Sequence, residues 1–169
     1  MAEARRIEPD LIWARRVITR AEDAGGEPFE GVDEREFARR RDEGGFAVWW
    51  EAHGLFYGVP ESVAADLAAG RTVMFNGSRA AIGRAMRRFP DLKVIVVTAP
   101  AALLAQRLAA RGREDEADIR ARLARAAYPT PDGAATVVND GTVAEGARRL
   151  LTAIYPEAAS GLRRARGGV

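Results

Sequence analysis

Lys93-Val94-Ile95-Val96-Val97-Thr98, followed at once by Ala99-Pro100 and an apolar-periodic stretch to Arg111-Gly112, is the segment whose reading decides the fold. An unbroken β-branched run predicts a strand buried on both faces, and Pro100 predicts the start of a helix. A strand that runs into a helix is the repeating unit of a parallel α/β sheet. Working upstream, Thr72 to Phe75 is a short strand that leads into Asn76-Gly77-Ser78-Arg79 and a helix to Arg88. Before it, Pro60-Glu61-Ser62 opens a helix that Gly70 stops, Leu11 to Ile18 is a strand, and Ala2 to Ile7 reads as the last turns of a helix. Downstream come a helix from Glu116 to Ala126, a strand from Ala135 to Val138 and a helix from Val143 to Ile154.

One region breaks this alternation. Asp33 with Glu36 three residues on is a capping-box pattern for a helix through Arg41, ended by Gly44-Gly45. Phe46-Ala47-Val48-Trp49-Trp50 and a second extended piece through Phe56-Tyr57 then flank His53-Gly54, which predicts a hairpin. The expected architecture is an α/β domain over residues 1–155. The strands ending at Ile18, Phe75, Thr98 and Val138 share one parallel sheet, Trp49 and Tyr57 lie in a separate hairpin region, and residues 156–169 form a mobile tail. In such sheets ligands bind beyond the carboxyl ends of the strands, here Thr19-Arg20, Asn76 to Arg79, Thr98-Ala99 and Asn139-Asp140.

Composition narrows the function. The 169 residues are 47% hydrophobic and 30% charged, the mix of one globular domain. With no cysteine and one histidine, His53, a disulfide and a Cys/His zinc site are both excluded. No apolar run approaches the ~20 residues that cross a bilayer, and the amino terminus lacks the apolar core of a secretion signal. The expectation is a cytoplasmic protein with no membrane partner. Of the 26 basic residues only Lys93 is lysine, so 25 are arginine, whose fork of donors fits phosphate oxygens in pairs. Acidic residues interrupt every basic run, so no nucleic-acid stripe forms, and Arg39-Arg40-Arg41 and Arg163-Arg164-Ala165-Arg166 read as solvated surface.

Several spaced motifs, in order, resemble the guanylate kinase-like family. Ile18-Thr19-Arg20 with Gly26-Glu27 is similar to the loop that leads into that family's substrate-binding insertion (here about 20–59), and Trp50-Glu51-Ala52-His53-Gly54-Leu55-Phe56-Tyr57-Gly58 to the insertion itself. Arg107 to Gly112 with Ile119 to Leu123 looks like the helical lid (about 111–127), and Val137-Val138-Asn139-Asp140 like the adenine-side strand end. The resemblance implies a P-loop-kinase-like fold, a mainly parallel sheet flanked by helices, with ATP and Mg²⁺ as cofactors.

The segment after the Thr72 to Phe75 strand separates the branches. Guanylate kinases carry acidic residues where Asn76 and Ser78 stand, and their second substrate arginine and loop tyrosine have no counterpart here. Asn76-Gly77-Ser78-Arg79 instead resembles the ribose 1,5-bisphosphate phosphokinases, which convert ribose 1,5-bisphosphate and ATP to phosphoribosyl diphosphate in phosphonate degradation. A sugar bisphosphate offers hydroxyls and phosphates but no base, which suits neutral Asn76 and Ser78 beside cationic Arg79. Glu51 suits guanine and keeps a guanylate or other nucleoside monophosphate kinase open. Read without the resemblance, the segment is a strand end with a Ser78 helix cap, and His53 is a turn residue with no catalytic duty.

By the resemblance, Arg20 and Arg79 hold substrate phosphate, and Glu51, Tyr57, Asn76 and Ser78 line the substrate side. Arg111 and Arg122 close from the lid onto the transferring phosphoryl, and Asn139 sits near the adenine. The implied partners are a phosphosugar and ATP, and the implied state is a monomer or homodimer. The family's glycine-rich loop, GxxxxGK, is not among the 169 residues. The family's order places a strand, that loop and half a helix before residue 1. The expectation is therefore that Met1 is internal to a longer reading frame, or that the chain is a truncation with impaired turnover. The alternative class is a non-catalytic guanylate kinase-like binding module, against which a pair of lid arginines argues.

Overall fold

In the computed structural model, which describes residues 2–22, 27–109 and 131–156, the chain divides into two units. One is Glu8–Leu92, and the second is drawn from Met1–Ile7 and Lys93–Val169.

The Glu8–Leu92 unit begins with a chain that changes sheets. β1 (Ile12–Trp13) pairs in parallel with β6 (Val73–Met74), and Ala14 N donates to the Met74 carbonyl at 2.8 Å. Three residues later, β2 (Val17–Ile18) has joined a different sheet, of order β3-β2-β5-β4, with β3 (Glu30–Gly31), β4 (Phe46–Ala52) and β5 (Leu55–Pro60). The strand expected over Leu11 to Ile18 is thus two short strands, and the break falls at Ala14-Arg15-Arg16. Arg15 stays at the surface, its side chain 60% exposed and bonded to Glu22 and to the Phe29 carbonyl. Arg16 turns inward, with 14% of its side chain exposed.

β4 and β5 form the expected hairpin. His53 (φ 55°) and Gly54 (φ 70°) adopt the left-handed backbone of a turn whose twist matches the paired strands. Cross-strand partners are Trp50 with Tyr57 and Glu51 with Phe56. Because side chains alternate between faces, Val48, Trp50, Tyr57 and Val59 share one face. There they join Ala14, Val63 of α3 (Val63–Ala68), and Ala81 and Ala85 of α4 (Arg79–Arg88) in one apolar cluster. A register irregularity between Phe46 and Val48 turns Phe46 to the other face. On that side Phe46 and Phe56 stack on Phe37 of α2 (Glu34–Asp42), with ring centroids 4.6 and 5.6 Å away. Pro60 ends β5 rather than opening α3.

α2 has the expected cap, Asp33 Oδ1 accepting from Glu36 N at 2.7 Å. Glu36 does not complete the box, because its carboxylate is taken by Arg39 and Arg40. A full capping box forms elsewhere, between Thr142 and Glu145 at the start of α6 (Val143–Ile154).

In the second unit β7 (Ile95–Thr98) and β8 (Ala135–Val138) pair in parallel, Ile95 opposite Ala135 through Thr98 opposite Val138. α5 (Ala101–Ala109) follows β7, and α1 (Ala2–Ile7), with Ala4 fully buried, packs on α6. Parallel pairing forms as expected within each unit, β1-β6 in the first and β7-β8 in the second. Among the described residues β7 pairs with β8 alone, and Val97, expected in the interior, is 55% exposed. The parallel α/β character and the inserted hairpin stand as expected. The helix expected over Glu116 to Ala126 lies outside the described residues, as does the tail beyond Pro156.

Gly58 is required by packing: a Cβ there would lie 2.5 Å from Phe46 Cδ1. At Gly77 it would meet only the Phe75 ring, at 3.6 Å. Gly58→Ala is expected to destabilise this unit by about 1–3 kcal/mol in urea unfolding, and Gly77→Ala to change it little. Equal effects of the two would contradict the packing described.

Candidate functional site

Ile18 closes β2 opposite Tyr57, and Thr19 finishes the pairing with its side chain. Thr19 N donates to the Phe56 carbonyl at 3.1 Å, and Phe56 N donates back to Thr19 Oγ1 at 2.9 Å. The threonine of the Thr-Arg pair is thus a strand-end lock. Arg20 then turns sharply, its N donating to the Ile18 carbonyl at 2.8 Å, and its guanidinium lies over Phe29, 4.6 Å from the ring centroid.

Two residues before Ile18, on the Tyr57 face of the sheet, Arg16 organises a polar cluster. Its Nε donates to Glu27 Oε1 at 2.6 Å, its Nη2 bonds the same oxygen, and its Nη1 donates to the Asn76 carbonyl at 3.1 Å. Asn76 Nδ2 donates to the other carboxylate oxygen, Glu27 Oε2. The Arg16 and Glu27 side chains are only 14% and 15% exposed. Arg16 Cζ lies 5.7 Å from the Trp50 ring centroid and 5.2 Å from that of Tyr57, and the two rings stack 5° from parallel. A guanidinium this far from water needs a counter-charge and polarisable faces; here it has both.

Asn76 follows β6, and Ser78 caps α4, its Oγ accepting from Ala80 N at 3.3 Å. Arg79 is the exposed first residue of that helix, where backbone N–H groups and the positive end of the helix dipole favour an anion. The cluster brings Tyr57 and Asn76 together through Arg16, while the β2–β5 pairing sets Arg20 just beyond Tyr57. Glu51 is not brought to them: it pairs with Phe56 on the opposite face of the hairpin and is exposed.

In the second unit Asn139 extends the ladder, its N donating to the Thr98 carbonyl at 2.7 Å. Arg107 holds this strand end, donating to the Asn139 carbonyl at 2.7 Å and the Gly141 carbonyl at 3.0 Å. The Arg149 hydrogen bond keeps the Asp140 carboxyl below the ordinary carboxylate range. Arg111 and Arg122 lie outside the described residues. Among the described residues no group of three or more His, Cys, Asp or Glu side chains could hold a metal ion, so no residue here is assigned to Mg²⁺.

The chain is 45% identical over 164 residues to the ribose 1,5-bisphosphate phosphokinase PhnN of Pseudofrankia inefficax, covering 96% of this chain and 86% of that protein. It is 49% identical over 138 residues to its namesake from Pantoea vagans, covering 81% and 78% of the two chains. The chain belongs to the ribose 1,5-bisphosphate phosphokinase family. It is also 45% identical over 150 residues to a bifunctional ribose 1,5-bisphosphokinase-thymidine phosphorylase of Cupriavidus necator, of which it spans 25%, against 88% of its own length. Against the Rhizobium etli phosphokinase it spans 59% of the relative's length. Among solved structures, guanylate kinase from Anaplasma phagocytophilum matches with a TM-score of 0.65 at 22% identity, covering 92% of this chain and 80% of that one, which shows the guanylate kinase-like fold. No family model matches the chain.

Within this phosphokinase-family chain, sequence reasoning passed over Arg16 and gave Glu27 only a place in a motif. The signal was present: Arg15-Arg16 interrupts an otherwise apolar strand pattern, and a charge in such a run needs a buried partner. Breaking one side of the pair strands the other charge. Arg16→Met is therefore expected to destabilise the Glu8–Leu92 unit by about 3 kcal/mol, and Arg16→Met with Glu27→Met to recover most of that loss. Urea unfolding followed by tryptophan emission reads both. A double variant as unstable as the single one would contradict the pairing.

Proposed function

We propose that this chain carries the phosphosugar side of an ATP-dependent kinase that converts ribose 1,5-bisphosphate to 5-phosphoribosyl 1-diphosphate, a cytoplasmic step of phosphonate degradation. The carrying observation is the 45% identity across 86% of a protein named for that activity. The placement of Arg20, Tyr57, Asn76 and Arg79 in one unit supports it. In this reading the substrate's 1-phosphate oxygen attacks the γ-phosphorus of ATP, the bond to the β,γ-bridging oxygen breaks, and ADP leaves. A phosphate monoester with a second pKa of about 6 is already largely ionised near neutral pH, so no strong general base is needed. The work left to the protein is positioning and neutralising charge, which suits a site furnished with arginines.

Arg20 and Arg79 take substrate phosphate, Tyr57 lines the sugar, and Ser78 contributes through the α4 terminus it caps. Arg111 and Arg122 act on the transferring phosphoryl, and Asn139, held by Arg107, belongs to the adenine side. Mg²⁺ accompanies ATP, without an assigned protein ligand. Glu51, on the far face of the hairpin, is left out of the substrate set, which removes the residue that best suited guanine. The oligomeric state in this reading is a monomer or a homodimer.

Binding is the informative readout, because the GxxxxGK loop is not among these 169 residues. Calorimetric titration is expected to show ribose 1,5-bisphosphate bound in preference to GMP. Arg20→Ala and Arg79→Ala should each weaken it about 10- to 100-fold, the range of charge-assisted hydrogen bonds, while Glu51→Ala should leave it within about two-fold. Preference for GMP would move the assignment to a nucleoside monophosphate kinase. Binding of neither would overturn the proposal.

A further inference from the structure

Asn76 has a chemical ambiguity that its surroundings remove. An asparagine amide can offer a ligand either its carbonyl oxygen or its NH₂, and rotation about the last bond exchanges them. Here Nδ2 donates to Glu27 Oε2. A carboxylate paired with a guanidinium only accepts hydrogen bonds, so reversing the amide would set Oδ1 against Oε2, oxygen against oxygen. Glu27 cannot swing away easily either. Its other oxygen is held by Nε and Nη2 of Arg16, whose Nη1 also takes the Asn76 carbonyl. Backbone and side chain of Asn76 are therefore gripped by one ion pair, itself lodged against the stacked rings of Trp50 and Tyr57.

We propose that Glu27, held by Arg16, is a positioning residue that locks the Asn76 amide with Oδ1 as its ligand-facing group, so that the site selects a hydrogen-bond donor beside the phosphate. This rests on the proposed function, in which the donor is a ribose hydroxyl. The arrangement divides the labour: phosphate oxygens, which are acceptors, go to Arg20 and Arg79, and a hydroxyl goes to Asn76. An Asn76 free to reverse would offer NH₂ to a phosphate oxygen equally well, and this discrimination would vanish. A nucleobase N–H is the other source of the same donor chemistry, so GMP is the comparator.

Two measurements on the full chain test the inference. The first needs no ligand: in proton–nitrogen spectra the Asn76 side-chain amide protons should exchange slowly with water in the wild type and about ten-fold or more faster in Glu27→Gln, with far-UV circular dichroism unchanged. Wild-type protons exchanging as fast as those of a solvated asparagine amide would overturn the inference without recourse to any variant. The second is calorimetric affinity for ribose 1,5-bisphosphate and its 2-deoxy and 3-deoxy analogues. The wild type should prefer the full sugar over one of the analogues by about ten-fold, the worth of one neutral hydrogen bond. Glu27→Gln and Asn76→Ala should each reduce that ratio to within about two-fold, and the double variant should go no further. A ratio kept in Glu27→Gln with ribose 1,5-bisphosphate still bound overturns the inference and leaves the proposed function standing. A wild type that binds GMP, and loses it in Glu27→Gln, keeps the locked acceptor and overturns the sugar as its donor. A wild type that binds neither overturns the proposed function, and the exchange measurement alone then decides the amide lock.

Discussion

The Glu8–Leu92 unit depends on where it can put the charge of Arg16. The chain leaves the β1-β6 pair and enters the four-stranded sheet within three residues, and Arg16 is the residue at the crossing. Its guanidinium reaches back to the loop after β6 through the Asn76 carbonyl, forward to Glu27, and sideways onto the hairpin rings. One side chain thereby ties together three segments far apart in sequence. An unpaired buried charge would cost several kcal/mol, a large part of a domain's net stability, so the three segments are held to the positions that satisfy it.

The rest of the unit reads as accommodation of that constraint. The Trp50–Tyr57 pair must face Arg16, which by alternation sends Trp49, Glu51 and Phe56 to the α2 side. That side is closed by the stacked rings of Phe37, Phe46 and Phe56, and Gly58 gives Phe46 its room. Thr19 ends β2 with a side-chain bond, so the chain can turn at Arg20 instead of extending the strand. The same residues that fold the sheet edge deliver an arginine, a tyrosine and an asparagine to one region, in a chain that belongs to a phosphokinase family.

Local signals were legible in the sequence where one residue decided the outcome. The His53-Gly54 turn, the Asp33 and Ser78 caps, the stop at Gly44, and the extents of β8 and α6 all follow from turn chemistry and periodicity. What escaped was set by distant partners. Nothing within Leu11 to Ile18 says that its two halves pair with different strands, because that choice belongs to Val73 and Gly58. Glu36 sits at the right distance for a capping box but is claimed by Arg39 and Arg40, and Thr142 with Glu145 made the box that was overlooked. Glu51 and Tyr57 sit in one motif, yet strand alternation and the turn put them on opposite faces. Arg16 is one of 25 arginines in the sequence, and only the fold sets Glu27 beside it.

In the proposed function the ligand region is built around Arg16, Tyr57 and Asn76 on one face of the hairpin. Backbone amide shifts recorded while ribose 1,5-bisphosphate is added test it most directly. Saturable changes concentrated at Arg16 to Arg20, Tyr57 and Asn76 to Arg79, with Glu51 and the His53-Gly54 turn unmoved, are the predicted result. Changes centred on Glu51 and the turn, or scattered over surface arginines without saturation, would contradict it.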